Sequence, residues 1–146
     1  AVAALGRADE ATEDLGAAVA EFGALAERSA EMATYRELLA EALLARAEMS
    51  PPGPARADLA RAEETVDALA KGQKDDPAYS GLLGRIRGRA AMLDAAGPDP
   101  GTARARLEGA LSLLRSALKV NDKHPASLRA AAEFEAKLKA LGAPAE

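Results

Sequence analysis

Between Ala103 and Leu141 the chain carries two apolar stripes of helical period, separated by Lys119-Val120-Asn121-Asp122-Lys123-His124-Pro125. Leu107, Ala110, Leu111, Leu114, Ala117 and Leu118 recur at three- and four-residue steps, which puts them on one face of a helix. Arg104, Glu108, Ser112, Arg115 and Lys119 keep the same spacing on the opposite face. After the break, Leu128, Ala131, Phe134, Leu138 and Leu141 repeat the arrangement. Pro125 suits a first helical turn, because its φ is already near the helical value and no donor is needed there. Gly142 follows the last apolar residue, where a left-handed cap would end the helix. An amphipathic helix is stable only when its stripe is buried, so this pair requires further helices to pack on.

The rest of the chain supplies them. Ala1–Leu5 reads as the tail of a helix, and Gly6-Arg7-Ala8-Asp9 as a turn with Asp9 as an N-cap. A long helix is predicted next, with Ala11, Leu15, Ala18, Val19, Phe22 and Leu25 on one face and a break within Ser29–Thr34. Tyr35 to Met49 forms another, its stripe built from Tyr35, Leu38, Leu39, Ala42, Ala45 and Met49. Ser50-Pro51-Pro52-Gly53-Pro54 cannot continue a helix. A further helix is predicted from Ala55 to about Lys71 along Leu59, Ala62, Val66 and Leu69, followed by a polar connector at Gly72–Asp76. Asp76-Pro77 is a start signal for a helix to about Ala96 that carries Tyr79, Leu82, Leu83, Ile86, Ala90 and Leu93. Gly97-Pro98-Asp99-Pro100-Gly101 ends it. About six helices are expected, joined by short breaks that favour antiparallel neighbours.

Composition agrees with an all-α class. Of 146 residues 49% are hydrophobic and only 3% aromatic, so the core is Ala and Leu, suited to closely packed helices. No segment alternates over strand length. The length implies a single domain, residues 1–146. With no cysteine, disulfides and thiolate chemistry are excluded. No apolar run approaches the ~18 residues that span a bilayer, so no membrane insertion is expected. Ala1-Val2-Ala3 leads into no apolar block, so no signal peptide is legible, and a cytoplasmic location is the default expectation. The chain lacks an initiator Met and begins inside a helical pattern, which suggests a fragment of a longer protein. The charge of −4 is unevenly spread: residues 1–70 hold 6 Lys/Arg against 14 Asp/Glu, residues 71–146 hold 13 against 9. Such asymmetry either steers a partner to one end or merely solvates helix faces.

Self-comparison reveals a repeat. Ala11-x3-Leu15-x2-Ala18-Val19 is matched by Ala110-x3-Leu114-x2-Ala117-Leu118, with Ala62-x3-Val66-x2-Leu69 as a looser copy, at spacings of 51 and 48 residues. The connectors Lys74-Asp75-Asp76-Pro77-Ala78 and Asp122-Lys123-His124-Pro125-Ala126 echo one another. This pattern resembles the tetratricopeptide repeat family. Ala110, Leu114 and Ala117 match its second-helix spacing, Leu83-Gly84 its first-helix pair, and Gly6-Arg7-Ala8-Asp9-Glu10-Ala11 looks like its inter-helix turn. The departures are a period nearer 50 than the family's about 34 residues, and Ser80 and Arg87 where the family carries large first-helix aromatics. Long Ala- and Arg-rich repeats of this kind also look like those that follow the kinase domain of large bacterial serine/threonine kinases. The resemblance implies stacked helix hairpins forming an α-solenoid, with Leu83, Gly84, Ala110, Leu114 and Ala117 as packing positions.

The residue inventory points away from catalysis. The only histidine, His124, sits in a connector, where it reads as a turn residue near a helix start. No Cys/His pairs are available for zinc, and no Gly-rich loop follows a strand; no cofactor is expected. Gly81, Gly84 and Gly88 form a helical stripe suited to close approach by another helix. Arg85 and Arg89 lie one turn apart, with Arg87 pointing elsewhere. The family resemblance implies that first-helix side chains line a groove, so Arg85, Arg87 and Arg89 are candidate contacts for an acidic peptide. Nucleic acid is disfavoured by the acidic balance and scarce aromatics. Two functions follow as expectations: a scaffold or adaptor module that binds a peptide or protein segment in a repeat groove, or a structural or oligomerising helical domain that pairs with a second copy, such as the regulatory region of a bacterial serine/threonine kinase.

Overall fold

The computed structural model describes residues 2–29, 31–70, 76–95 and 100–142. They form six helices, α1 (Val2–Arg28), α2 (Ala33–Glu48), α3 (Pro52–Ala70), α4 (Pro77–Ala95), α5 (Pro100–Val120) and α6 (Pro125–Leu141), with no strand among the described residues. The chain divides into two compact units, Ala1–Leu69 and Ala70–Glu146. The expected helix ends at Lys71 and Ala96, and most of the connectors Gly72–Asp76 and Gly97–Gly101, lie outside the described residues.

Three boundaries differ from expectation. The turn predicted at Gly6–Asp9 is absent: α1 runs through it, and Asp9 is an exposed mid-helix residue rather than a cap. A lone glycine costs a helix only about 1 kcal/mol, and with no proline nearby the flanking alanines carry the helix across. That removes the inter-helix turn on which part of the family resemblance rested. The proline cluster ends α2 at Glu48, but α3 begins at Pro52 rather than Ala55, with Ala55 N–H donating to Pro51 O. Pro52 and Pro54 stand in a first turn, where a missing N–H costs nothing. Pro100 opens α5 for the same reason.

In the first unit α1 packs on α2, and the core gathers Val19, Leu39, Leu43, Leu44, Leu59 and Val66. The stripe expected on α2 is rotated. Leu39 and Ala42 are buried, but Leu38 and Met49 remain 39% and 43% exposed, while Ala40, Leu43, Leu44 and Ala47 face inward. The doublets Leu38-Leu39 and Leu43-Leu44 spread leucines over more than half of the circumference of α2, so periodicity alone could not select its inner face. An ion pair joins α2 to α3: Arg46 Nε donates to Asp58 Oδ2 (2.8 Å) and Nη2 to Oδ1 (2.7 Å). Asp58 is 9% exposed, and its hydrogen bonds push the Arg46 guanidinium pKa above its usual value. Gly23 of α1 leaves room for a second arginine, since a Cβ there would lie 3.1 Å from Arg61 Nη2 of α3.

The second unit is organised on α4. A Cβ at Gly81 would approach Ala117 Cβ of α5 (3.2 Å) and Ser127 Oγ of α6 (3.3 Å). At Gly84 it would meet Ala110 O and Leu114 Cγ of α5, both at 3.0 Å, and at Gly88 it would overlap the Phe134 ring of α6. The close approach expected of this glycine stripe is thus made by two helices. The core comprises Ala91, Leu107, Leu111, Leu114, Ala130, Ala131 and Phe134, edged by Met92, Leu118, Leu138 and Leu141. Leu128, expected in the α6 seam, is 46% exposed, and Ser127 takes the inward position at the helix start.

Candidate interaction surface

The three arginines of α4 stand in different surroundings. Arg87 is exposed, Arg85 half-buried, and Arg89 is engaged within the unit. Its Nη1 and Nη2 donate to Glu133 Oε1 (2.8 Å) and Oε2 (2.7 Å) of α6, and its guanidinium lies 5.9 Å from the Phe134 ring centroid. A fork on a carboxylate combined with a cation over a ring face is a strong use of arginine. Arg89 thus closes the same α4–α6 contact that Gly88 opens, and an acidic partner would have to displace Glu133 to reach it. Of the positions expected to pack, Ala110, Leu114 and Ala117 are buried, Leu83 is half-buried, and Gly84 sits against Ala110 and Leu114.

The paired hydrogen bonds from Arg89 hold the Glu133 carboxyl below the usual carboxylate range, although burial opposes them. A carboxyl with a lowered folded pKa contributes stability that is fully present above the unfolded value, about 4.3. That contribution is lost as pH falls through the lower folded value. Glu133→Gln is therefore expected to flatten the acid limb of the stability–pH curve below about pH 4, read from denaturant midpoints. Because the Glu133 side chain is 44% exposed, the effect near neutral pH should stay under about 1 kcal/mol.

His124 is the N-cap of α6. Its Nδ1 accepts from Ser127 N (3.2 Å) and lies 3.0 Å from Ser127 Oγ. The Ser–His proximity is structural, because Ser127 is only 3% exposed and its hydroxyl is packed toward Gly81. Gly142 closes the other end with φ +76° and an N–H donated to Lys139 O, and its own carbonyl accepts from Arg104 Nη1. Gly142 thus ends the helix with a positive φ but with ψ −179°, which is not the left-handed cap expected, and His124, expected only as a turn residue, is the N-cap.

Around the α5–α6 connector the surface is apolar and basic. Val120 is 71% exposed and Leu128 46%. Lys119, Lys123 and Arg129 are exposed in the same stretch, residues 119–129, whose one acidic residue is Asp122. Sequence reasoning did not single out this surface, since Leu128 was assigned to the seam and Val120 to a turn. A signal was present in the chain: Val120 stands opposite the α5 stripe among cations, where a polar residue would serve solubility better.

No group of three or more metal-ligating side chains occurs among the described residues, and no described helix is long and apolar enough to cross a membrane. Comparison with protein-family models, with curated proteins and with solved structures returns no match to this chain.

Proposed function

We propose that the chain is a protein-interaction module that binds an acidic, partly apolar protein segment at the α5–α6 connector. The observation that carries this reading is the exposure of Val120 and Leu128 together with three exposed cations, Lys119, Lys123 and Arg129, in the same short stretch of chain. Exposed apolar side chains rimmed by charge are the usual composition of a protein-binding patch. The cations supply steering, and the apolar groups supply the area removed from water. The resemblance to helical-repeat scaffolds supports the same class of function. The connector is favoured over a groove on α4 because Arg89 there is held by Glu133.

Binding of a labelled peptide that alternates Glu with Leu, followed by fluorescence anisotropy at low salt, tests the reading. Wild type should bind with a Kd of about 10–100 μM, a range that corresponds to a small polar-rimmed contact. Val120→Asp/Leu128→Asp should weaken binding about tenfold or more, a change of about 1.4 kcal/mol, while Arg87→Glu should leave it within about twofold. Both altered apolar groups are exposed, so the fold is retained. Equal binding by every variant, or loss with Arg87→Glu alone, would contradict the assignment.

A further inference from the structure

The residues of the proposed surface come from three places: Val120 ends α5, Lys123 lies in the connector Asn121–His124, and Leu128 and Arg129 stand in α6. A connector between two helices leaves carbonyls unsatisfied on one side and N–H groups on the other. Here two exposed polar side chains, Asn121 and His124, meet that need. Asn121 N–H donates to Ala117 O (3.1 Å), its Oδ1 accepts from Lys123 N–H (3.3 Å), and its carbonyl accepts from His124 N–H (3.4 Å). An asparagine that bonds the backbone two residues on is a turn former. His124 is extended, with φ −66° and ψ 110°, the conformation that a following proline favours. Its Nδ1 accepts from Ser127 N–H, and its carbonyl from Leu128 N–H (3.0 Å). Ser127 is itself buried, with Oγ 3.3 Å from the point that a Cβ on Gly81 of α4 would occupy. A run of hydrogen bonds thus leads from the end of α5 to Leu128, and its far end is seated on α4.

We infer that Asn121 and His124 are positioning residues of the binding surface, holding Val120, Lys123 and Leu128 in the arrangement that receives the acidic segment. The inference rests on the binding surface proposed above and adds what sets its affinity. Both side chains are spent on the backbone of their own connector, so neither has to touch the bound segment. Backbone freedom already removed in the free protein is not lost again on binding, which is how preorganisation raises affinity. A surface spread over two helix ends depends on this more than one confined to a single helix face, because each connector torsion moves Val120 relative to Leu128.

Three variants of the full chain test this: Asn121→Ala, His124→Ala and His124→Ser. Nitrogen-15 relaxation of the free protein reads the mobility of the connector, and anisotropy with the Glu–Leu peptide reads affinity on the same samples. Wild type should show order parameters of about 0.85 at Asn121, Lys123 and His124, falling below about 0.6 in both alanine variants. Peptide Kd should then rise about fivefold, as expected when about a fifth of the molecules hold the binding arrangement. His124→Ser supplies a preferred N-cap oxygen for Ser127 N–H, so it should keep both the rigidity and the affinity of wild type. Alanine variants that loosen the connector yet bind as wild type does would overturn the inference and leave the binding surface standing. Alanine variants with a connector as rigid as wild type would overturn it too. His124→Ser binding as weakly as His124→Ala, with a rigid connector, would make His124 a direct contact and not a positioning residue. Wild type that has a rigid connector but binds no peptide would contradict the surface itself, and the inference with it.

Discussion

Gly88→Ala is expected to destabilise the second unit by about 2 kcal/mol, although alanine is the better helix former. The propensity gain is about 0.5–1 kcal/mol. Against it, the new methyl would lie 2.7 Å from Cδ2 of Phe134 and closer still to Cε2 and Cζ. Phe134 is fully buried, so its ring has no free volume to enter. Overpacking of a closed core costs typically about 1–3 kcal/mol and sometimes more, and an overlap with three ring atoms belongs at the upper end. The Arg89 guanidinium over the same ring would shift with it, loosening the fork on Glu133. A thermal melt of the full chain should show the transition lowered by about 10 °C, at about 4–8 °C per kcal/mol for a unit of this size. Gly109→Ala is the control. It is exposed on α5 with nothing near its missing Cβ, so the substitution should stabilise by the propensity term alone. If both substitutions stabilised, the packing of Phe134 into Gly88 would be wrong. Phe134→Leu should relieve the clash, so that Gly88→Ala costs less in that background.

Asp58→Ala is expected to cost the first unit about 2–3 kcal/mol. The substitution leaves the Arg46 guanidinium without the two hydrogen bonds that raise its pKa. Breaking a buried pair by removing one partner costs about 3–5 kcal/mol, and the 27% exposure of the Arg46 side chain moderates that value by admitting water. Asp58→Asn keeps an acceptor and should lose less. Arg46→Met/Asp58→Leu removes both charges and should recover most of the stability, as apolar replacements of buried pairs do. Urea denaturation of the three variants measures the series. An Asp58→Ala chain within about 0.5 kcal/mol of wild type, the range of ordinary surface substitutions, would show that the pair contributes nothing to joining α2 and α3.

These two contacts also mark where sequence reading stops. The stripes on α3, α5 and α6 were legible because each presents one apolar face against a polar one, and Leu59, Val66, Leu107, Leu114 and Phe134 are buried accordingly. The end of α6 at Gly142 was legible because its chemistry is local, whereas His124 was read only as a turn residue and its capping bond from Ser127 N–H was not foreseen. Gly81, Gly84 and Gly88 announced a close approach by their spacing, but not that Ala117, Ala110 and Phe134 would fill it. Arg46 and Asp58 look like any solvated charges, since a pairing across a helix connector leaves no periodic trace. The exposed end at Val120 and Leu128 was hidden by a related ambiguity. Period alone places a first-turn leucine in the seam, and only the packing of Ser127 toward Gly81 turns Leu128 outward.

The most direct test of where the chain binds is a nuclear magnetic resonance titration of the labelled protein with the Glu–Leu peptide. The amide shifts of Lys119, Val120, Lys123, Leu128 and Arg129 should move together in a saturable way, while those of Arg85 and Arg87 on α4 stay still. Shifts concentrated at Arg85, Arg87 and Arg89, or none at the connector while the peptide binds, would contradict it and return the α4 arginines to first place.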